Sequence, residues 1–416
     1  MEIKTNAIYC GDCKKVLAQF PEGSVNLIYI DPPFFSNRRY EVLWGDGYEL
    51  RAFEDRWKGG IENYIVWMED KLRECHRVLK DTGSFYLHCD WHANAHLRIL
   101  IDRIFGEDNF RNEIIWCYGG GGIPKKDFPR KHDTILRYVK DVKKFEADGV
   151  FNIEYRPYGE WTKEHEPRHS LISGGDKLDI ERGTPINDWW VGLKSLTSYQ
   201  KEWLGYPTQK PESLLERIIK VSSNPTDIVL DPMCGCGTAI TVAHKLGRQW
   251  IGVDVSPTAC KLMVNRLRKI GARIAEKDII GMPKTLEEIK AMQPFEFQNW
   301  VCDRLLARVS RKKVGDFGID GWLIDGRPIQ VKQSENVGRN VIDNFETALR
   351  RANKNKGIIV AFSFGKGAHE EVARAKLHDN MEIELKTVDM DWFAGQFSAL
   401  ESKEEPKEES EAEEQL

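Results

Sequence analysis

Asp31-Pro32-Pro33-Phe34 places a carboxylate, two stiff carbonyls and an aromatic ring side by side. Those groups suit chemistry on an exocyclic amine whose lone pair is delocalised into a base ring and is a poor nucleophile. Asp31 and the Pro32 carbonyl can accept the amine's two N–H bonds and draw the nitrogen towards tetrahedral geometry, while Phe34 stacks on the base. The plainer reading of the tetrapeptide is a strand-ending Asp-Pro turn.

A second set is Asp231-Pro-Met-Cys-Gly235-Cys-Gly237-Thr238. Glycines between a strand and a helix let backbone approach a ligand closely at the start of the helix. Only G-x-G is present, and the Asp231 carboxylate repels a pyrophosphate while favouring a cation such as a sulfonium or an amine. Asp254 ends the next strand, 23 residues after Asp231, where an acidic side chain commonly accepts bonds from ribose hydroxyls. Together these read as a nucleoside-cofactor site without phosphates. S-adenosyl-L-methionine fits, and its methyl is what an activated amine would attack. A third set lies near the C-terminus. Asp320 precedes an Asp325-Gly326 hairpin turn, and the return run Pro328-Ile-Gln330-Val-Lys332 puts Gln330 and Lys332 on one side. Two oxygen ligands and a lysine on one sheet face can hold a hard cation and steady an attacked phosphate.

The elements that must position these residues are alternating strands and helices. Val25–Ile30 reads as a buried parallel strand, and the prolines force the chain out of the sheet just past its carboxyl end, where open α/β sheets bind ligands. Helical spacing runs over 61–80 through Ile61, Tyr64, Ile65, Met68, Leu72, Cys75 and Leu79. Asp81-Thr-Gly83 is expected to turn into a strand at Ser84–His88, with a helix over 92–105. Residues 212–221, 238–247 and 256–271 fit helices alternating with strands at Asp227–Leu230 and Trp250–Val255. Alternation of this kind implies a mainly parallel sheet flanked by helices.

Residues 118–205 read differently. Gly119 to Gly122 is a four-glycine run, and residues 125–144 carry eight Lys or Arg against three Asp. Trp161, Trp189, Trp190 and Trp203 follow among polar residues. Basic residues interleaved with aromatics suit phosphate contact and base stacking; a solvated insertion with a few buried tryptophans fits the composition equally well. Pro283 and Pro294 bracket a polar boundary. Beyond it a helix over 295–306, with Glu296 near its start, opens a second domain at 294–395, and 396–416 forms an acidic tail expected to be disordered. Residues 401–416 carry eight Glu and two Lys, so the formal net charge of −4 hides a slightly basic body.

At 416 residues the chain has room for two cores. It lacks an apolar run long enough to span a bilayer and an apolar secretory start, and its nine scattered cysteines suggest a reducing, cytoplasmic setting. Cys10-x-x-Cys13 has no second pair at zinc-finger spacing, and His92 with His96 reads as a solvated helix face. His165 and His169 carry no firm signal.

Asp31-Pro-Pro-Phe34, Tyr206-Pro-Thr-Gln-Lys-Pro211 and the Asp231–Gly237 loop, in that order, resemble the motifs of the permuted β class of DNA amino-methyltransferases. The likeness spans about residues 3–280. It implies an S-adenosylmethionine-dependent, Rossmann-like α/β domain over 1–285, with a target-recognition region inserted at 118–205, acting on double-stranded DNA. By that resemblance Asp31, Pro32, Pro33 and Phe34 handle the flipped base. Asp231, Gly235, Gly237 and Thr238 cradle the methionine end of the cofactor. Asp254 holds its ribose, Asp12 lies near its adenine, and Gln209 and Lys210 stand beside it. Met233 and Cys236 depart from the usual D-P-F-x-G-S-G-T loop but leave the glycines intact. The family acts on adenine N6 or cytosine N4, and an Asp-led motif leans to adenine.

Residues 294–380 resemble the Mrr-like branch of the restriction-endonuclease fold, a smaller α/β domain built around D…(E/Q)-x-K. That implies Mg²⁺ bound by Asp320 and Gln330, Glu296 as an accessory ligand, and Lys332 aiding cleavage. A neutral Gln at 330 weakens metal binding relative to a carboxylate. Competing readings are an N4-cytosine enzyme whose second domain only binds DNA, and a nicotinamide oxidoreductase, which the missing third glycine and Asp231 oppose. Oligomeric state is open, with a dimer as one option.

Overall fold

The computed structural model describes residues 3–36, 39–43, 49–54, 60–119, 124–158, 181–196, 200–204, 208–305, 307–310, 318–323, 325–389 and 392. The chain divides into two compact units, Met1–Gly47 with Arg51–Met282, and Tyr48–Leu50 with Pro283–Leu416.

The first unit opens with β1 (Ala7–Cys10), the helix Cys13–Leu17 and β2 (Val25–Ile30). The pair β3 (Arg39–Leu43) and β4 (Glu49–Glu54) follows, then the helix Gly60–Val78, β5 (Leu79–Cys89) and the helix Asn94–Phe105. Next come β6 (Phe110–Cys117), β7 (His132–Val139), the helix Val142–Asp148, and the short strands β8 (Tyr155–Arg156), β9 (Thr184–Pro185) and β10 (Trp189–Trp190). The helix Glu212–Ser222, β11 (Ile228–Asp231), the helix Thr238–Lys245, β12 (Gln249–Asp254) and the helix Pro257–Arg268 complete the layer.

The main sheet has the order β1-β12-β11-β2-β5-β7-β6-β10. Strands β1, β12, β11, β2 and β5 run parallel, and β7 is antiparallel to both β5 and β6. From β2 the chain winds outward to β5; from β11 it winds the other way to β12. The crevice between the carboxyl ends of β2 and β11 is therefore a topological switch point, where such sheets bind ligands. Each face of the sheet carries its own core. The helix Gly60–Val78 buries Tyr64, Met68, Leu72 and Cys75 at three- and four-residue spacing against one face. Leu214, Leu215, Ile218 and Ile219 of the helix Glu212–Ser222 pack on the other.

Two expectations fail. The turn at Asp81–Gly83 does not form; β5 runs through it, and the pairing with β2 shifts register between Val25 and Leu27. That irregularity absorbs the glycine, where an added Cβ would come within 2.9 Å of the Asn26 carbonyl. The inserted region is also smaller than 118–205, because β7 and the helix Val142–Asp148 belong to the main layer. β7 is buried on both faces from Asp133 to Val139, so its polar and charged members sit within the sheet. The basic count over 125–144 concealed that strand. The four-glycine run extends into residues outside those described, as do Trp161, His165, His169, Tyr206 and the acidic tail.

In the second unit the helix Leu286–Lys290 buries Ile289 in the same core as Phe297 and Val301 of the helix Pro294–Arg304, so the polar stretch before residue 294 is part of the fold. A five-stranded sheet follows in sequence order: β13 (Arg308–Val309), β14 (Gly321–Trp322), β15 (Pro328–Lys332), β16 (Lys356–Ala361) and β17 (Glu382–Thr387). β13 to β15 are antiparallel and β15 to β17 parallel. The helices Arg339–Arg351 and Lys366–Asp379 supply the crossovers that parallel strands require.

Candidate active site

Asp31 leaves the sheet one residue past β2, and Asp231 is the last residue of β11. β11 pairs with β2 through Leu230 and Ile28, which puts the two carboxylates on neighbouring strand ends. Asp254 ends β12, the next strand over, beside Cys10 of β1. Burial pushes the Asp231 carboxyl well above the ordinary carboxylate range; the Met233 amide opposes this, and the charges of Asp31 and Asp254 add to it. Asp254 is pushed up to about 6, again by burial, against amide bonds from Ser256, Gly235 and Val255. A buried Asp231 carboxyl raised further by two neighbouring acidic groups is relieved by a bound cation, so the donor set fits a sulfonium.

The glycine loop is held from within. Gly235 N donates to Asp254 Oδ2 at 2.8 Å, and Ser256 N to Asp254 Oδ1 at 2.9 Å. Gly235 and Gly237 have φ of 51° and 79°, the left-handed region that glycine enters without penalty. Gly237 caps the helix Thr238–Lys245, and an added Cβ there would lie 2.9 Å from Met263 Cγ. Asp231 is almost fully buried, and its Oδ1 accepts from Met233 N at 3.1 Å, so its carboxylate shapes the loop. Thr238 turns away from the crevice; its hydroxyl accepts from Arg266 Nη1 at 2.9 Å. Asp12 caps the helix Cys13–Leu17 by accepting from Lys15 N, with Lys71 Nζ 3.8 Å from its other oxygen. Gly11 N donates to the Asp254 carbonyl at 2.9 Å, which sets Asp12 beside the ribose-side carboxylate.

Around Asp31 the contacts are tight. Lys210 Nζ donates to Asp31 Oδ2 at 2.5 Å and stands 4.7 Å from the Phe34 ring centroid. Lys210 therefore meets the Asp31 carboxylate itself. Gln209 is spent on its own chain: Nε2 donates to the Glu202 carbonyl at 2.6 Å and Oε1 accepts from Leu204 N at 2.8 Å. The Tyr64 hydroxyl donates to the Pro33 carbonyl at 2.7 Å.

Beneath Phe34 lies a buried network that sequence reasoning missed. The His88 and Phe34 ring centroids are 5.6 Å apart. His88 Nδ1 meets the Tyr29 hydroxyl at 2.8 Å, its Nε2 meets Asp133 Oδ2 at 3.1 Å, and the Tyr118 hydroxyl donates to Asp133 Oδ1 at 2.8 Å. The signal was present as a histidine inside an apolar strand, but its partner comes from β7, the strand hidden among basic residues. His92 lies in the turn before the helix Asn94–Phe105, where it stacks on Trp91 and pairs with Asp90. Arg130 also lies over the Trp91 ring, 4.2 Å from its centroid, and Phe128 is 94% exposed in the segment between β6 and β7. Of the flagged tryptophans, Trp190 is core and Trp189 is half exposed.

In the second unit, Gly321 pairs with Ile329 and Trp322 with Pro328; continuing that register sets Asp320 opposite Gln330. Asp320 Oδ2 accepts from Val331 N at 2.7 Å, and Gln298 donates to the Asp320 carbonyl at 3.0 Å, bringing the helix Pro294–Arg304, with Glu296 in its first turn, beside the strand. Glu296 and Gln330 are both buried, and Gln330 Oε1 accepts no hydrogen bond from the described residues. A buried amide oxygen of that kind fits a cation ligand. Lys332 lies two residues on, half-buried.

Residues 25–265 match the family model described as DNA methylase, and residues 289–390 match one described as restriction endonuclease. DNA adenine methyltransferase YhdJ of Escherichia coli K12 is 31% identical over 267 residues, covering 64% of this chain and 83% of its own. Type II methyltransferase M.HinfI of Haemophilus influenzae is 29% identical over 278 residues, covering 64% and 69%. The solved PvuII DNA methyltransferase (cytosine-N4-specific) aligns at 17% identity over 66% of this chain and 89% of its own, with a TM-score of 0.44.

Proposed function

Since the chain belongs to the DNA methylase family, we propose that it methylates an exocyclic amine, adenine N6 in the first place, on a base flipped out of double-stranded DNA. The observation that carries this reading is that Asp31 and the Asp231–Gly237 loop leave the neighbouring strand ends of β2 and β11, with Phe34 three residues past Asp31. Asp31 and the Pro32 carbonyl accept the amine's hydrogens, and Phe34, backed by His88, offers a stacking face. Gly235 and Gly237 let the backbone close on the cofactor, and Asp254 is placed for its ribose. When bound, S-adenosyl-L-methionine would supply an electrophilic sulfonium methyl as the group transferred to the amine. The Asp-led motif and the adenine-specific relative favour adenine over cytosine.

Asp31→Ala tests the reading. Incubation of unmethylated genomic DNA with S-adenosyl-L-methionine, followed by nucleoside mass spectrometry, should give N6-methyladenine with the wild type and none with the variant, while cofactor binding by calorimetry persists. Unaltered methylation by the variant, or N4-methylcytosine as product, would refute the corresponding part.

The second unit is proposed to cut DNA with Mg²⁺ held by Asp320 and Gln330, with Glu296 as a further ligand and Lys332 steadying the attacked phosphate. Its support is the orphaned Gln330 oxygen beside Asp320 and the match over residues 289–390. A plasmid-nicking assay with and without Mg²⁺ separates this from a unit that only binds DNA.

A further inference from the structure

Among the described residues, Asp31 is held through one oxygen only. Lys210 Nζ donates to Oδ2 at 2.5 Å, whereas Oδ1 is buried and accepts no hydrogen bond from the described residues. Both side chains are largely withdrawn from water, at 10% exposure for Lys210 and 17% for Asp31. A buried acceptor left open costs free energy and is expected only where something else fills it. The ammonium also lies 3.5 Å from the Thr208 carbonyl. Gln209 anchors the preceding residue to 202–204, Pro211 precedes the helix Glu212–Ser222, and the Phe34 ring lies 4.7 Å from Nζ. An unpaired ammonium here would repel a cationic sulfonium; paired to Asp31, its charge is locally neutralised.

We propose that Lys210 is a positioning residue for the transfer: it grips Asp31 through Oδ2 and so presents Oδ1 as the acceptor for the target amine. This rests on the reading of Asp31 given above, and it departs from the cofactor-side place that the family resemblance implies for Lys210. A hydrogen-bond acceptor free to rotate would spend most of its time misaligned, and misplacement of a reacting partner by about 1 Å costs on the order of 100-fold in rate.

The test uses the full chain with methyl-labelled S-adenosyl-L-methionine and unmethylated genomic DNA. Wild type, Lys210→Met, Lys210→Arg and Asp31→Ala are compared in single-turnover rate at saturating cofactor, apparent KM for DNA, and cofactor Kd by calorimetry. Lys210→Met should lose about 100-fold in rate with KM and Kd each within about threefold, and Lys210→Arg should regain at least about tenfold by restoring a cation on Oδ2. A Lys210→Met rate within about threefold of wild type overturns the proposal. So does a loss that excess cofactor repairs, which would make Lys210 a cofactor ligand. If Asp31→Ala is dead while Lys210→Met is active, only this inference falls; if Asp31→Ala is active, the underlying reading falls with it. Should Lys210→Met fail to fold, Lys210→Gln carries the same comparison.

Discussion

His88 Nε2 lies 3.1 Å from Asp133 Oδ2, joining β5 to β7 directly beneath the Phe34 ring. The pair is buried, and each partner spends its remaining capacity on a tyrosine, Tyr29 on His88 and Tyr118 on Asp133. A fully partnered network of this kind fixes a platform; breaking one link strands the rest in low dielectric. His88→Leu should therefore cost about 2–4 kcal/mol in denaturant unfolding, since it leaves Asp133 and Tyr29 short of a partner. It should also raise KM for DNA through a loosened Phe34, with cofactor Kd little changed. Equal stability of wild type and variant would show that the network is dispensable.

Asp133 adds a pH signature. Burial raises its carboxyl, yet the His88 contact, the Lys210 charge and the Tyr118 hydroxyl together hold it below its ordinary 3.8. A depressed folded-state value means the contribution is complete above the unfolded value and is lost as pH falls through the lower folded one. The stability gap between wild type and Asp133→Asn should persist at neutral pH and close in acid below about 4, read as Tm against pH. A gap independent of pH would contradict the pairing.

Asp254 behaves in the opposite sense. Its carboxyl is raised from 3.8 to about 6 by burial, so the ionised form costs stability at neutral pH, and that cost shrinks progressively as pH falls from the folded value to the unfolded one. Binding of ribose hydroxyls needs the carboxylate. Cofactor affinity measured by calorimetry should weaken as pH drops from 7.5 through about 6, by about tenfold per unit at its steepest, and Asp254→Asn should bind weakly with a flat profile. An unchanged wild-type Kd at pH 5 would remove Asp254 from the cofactor site.

Lys125, Lys126 and Arg130 flank the exposed Phe128 on the segment leading into β7, whose start adjoins the strand end at Cys89. Replacing Lys125 and Lys126 by Ala should reduce the slope of log affinity against log salt by roughly 2, with little dependence on DNA sequence. Phe128→Ala should leave that slope alone and weaken affinity by about 1–3 kcal/mol if the ring stacks on a base. Filter-binding or anisotropy over a salt series distinguishes the two, and an unaltered slope for the double lysine variant would place DNA elsewhere.

Gln330 offers a test in the direction of gain. Gln330→Glu puts a charged oxygen where a neutral one faces Asp320, so half-maximal nicking should need less Mg²⁺, by about tenfold. Lys332→Ala should abolish nicking at any Mg²⁺ concentration without touching methylation. Nicking that survives Lys332→Ala would exclude this site as the cutting centre.

Much of this architecture can be read along the chain because the rules involved act over a few residues. Two prolines must end a strand, glycines with positive φ must mark a close turn, and apolar residues at three- and four-residue spacing must bury one helix face; these placed Asp31, the 231–237 loop and the helix Gly60–Val78. What lay beyond such rules were the partners. Lys210 and Asp31 are 179 residues apart, and only the strand order, with β11 laid against β2, brings the segment before the helix Glu212–Ser222 onto that carboxylate. His88 finds Asp133 because β7 enters the sheet antiparallel beside β5, a pairing that its basic neighbours masked. Local chemistry thus determined which groups the protein offers, and long-range strand pairing decided which oxygen of Asp31 is held and which is left open.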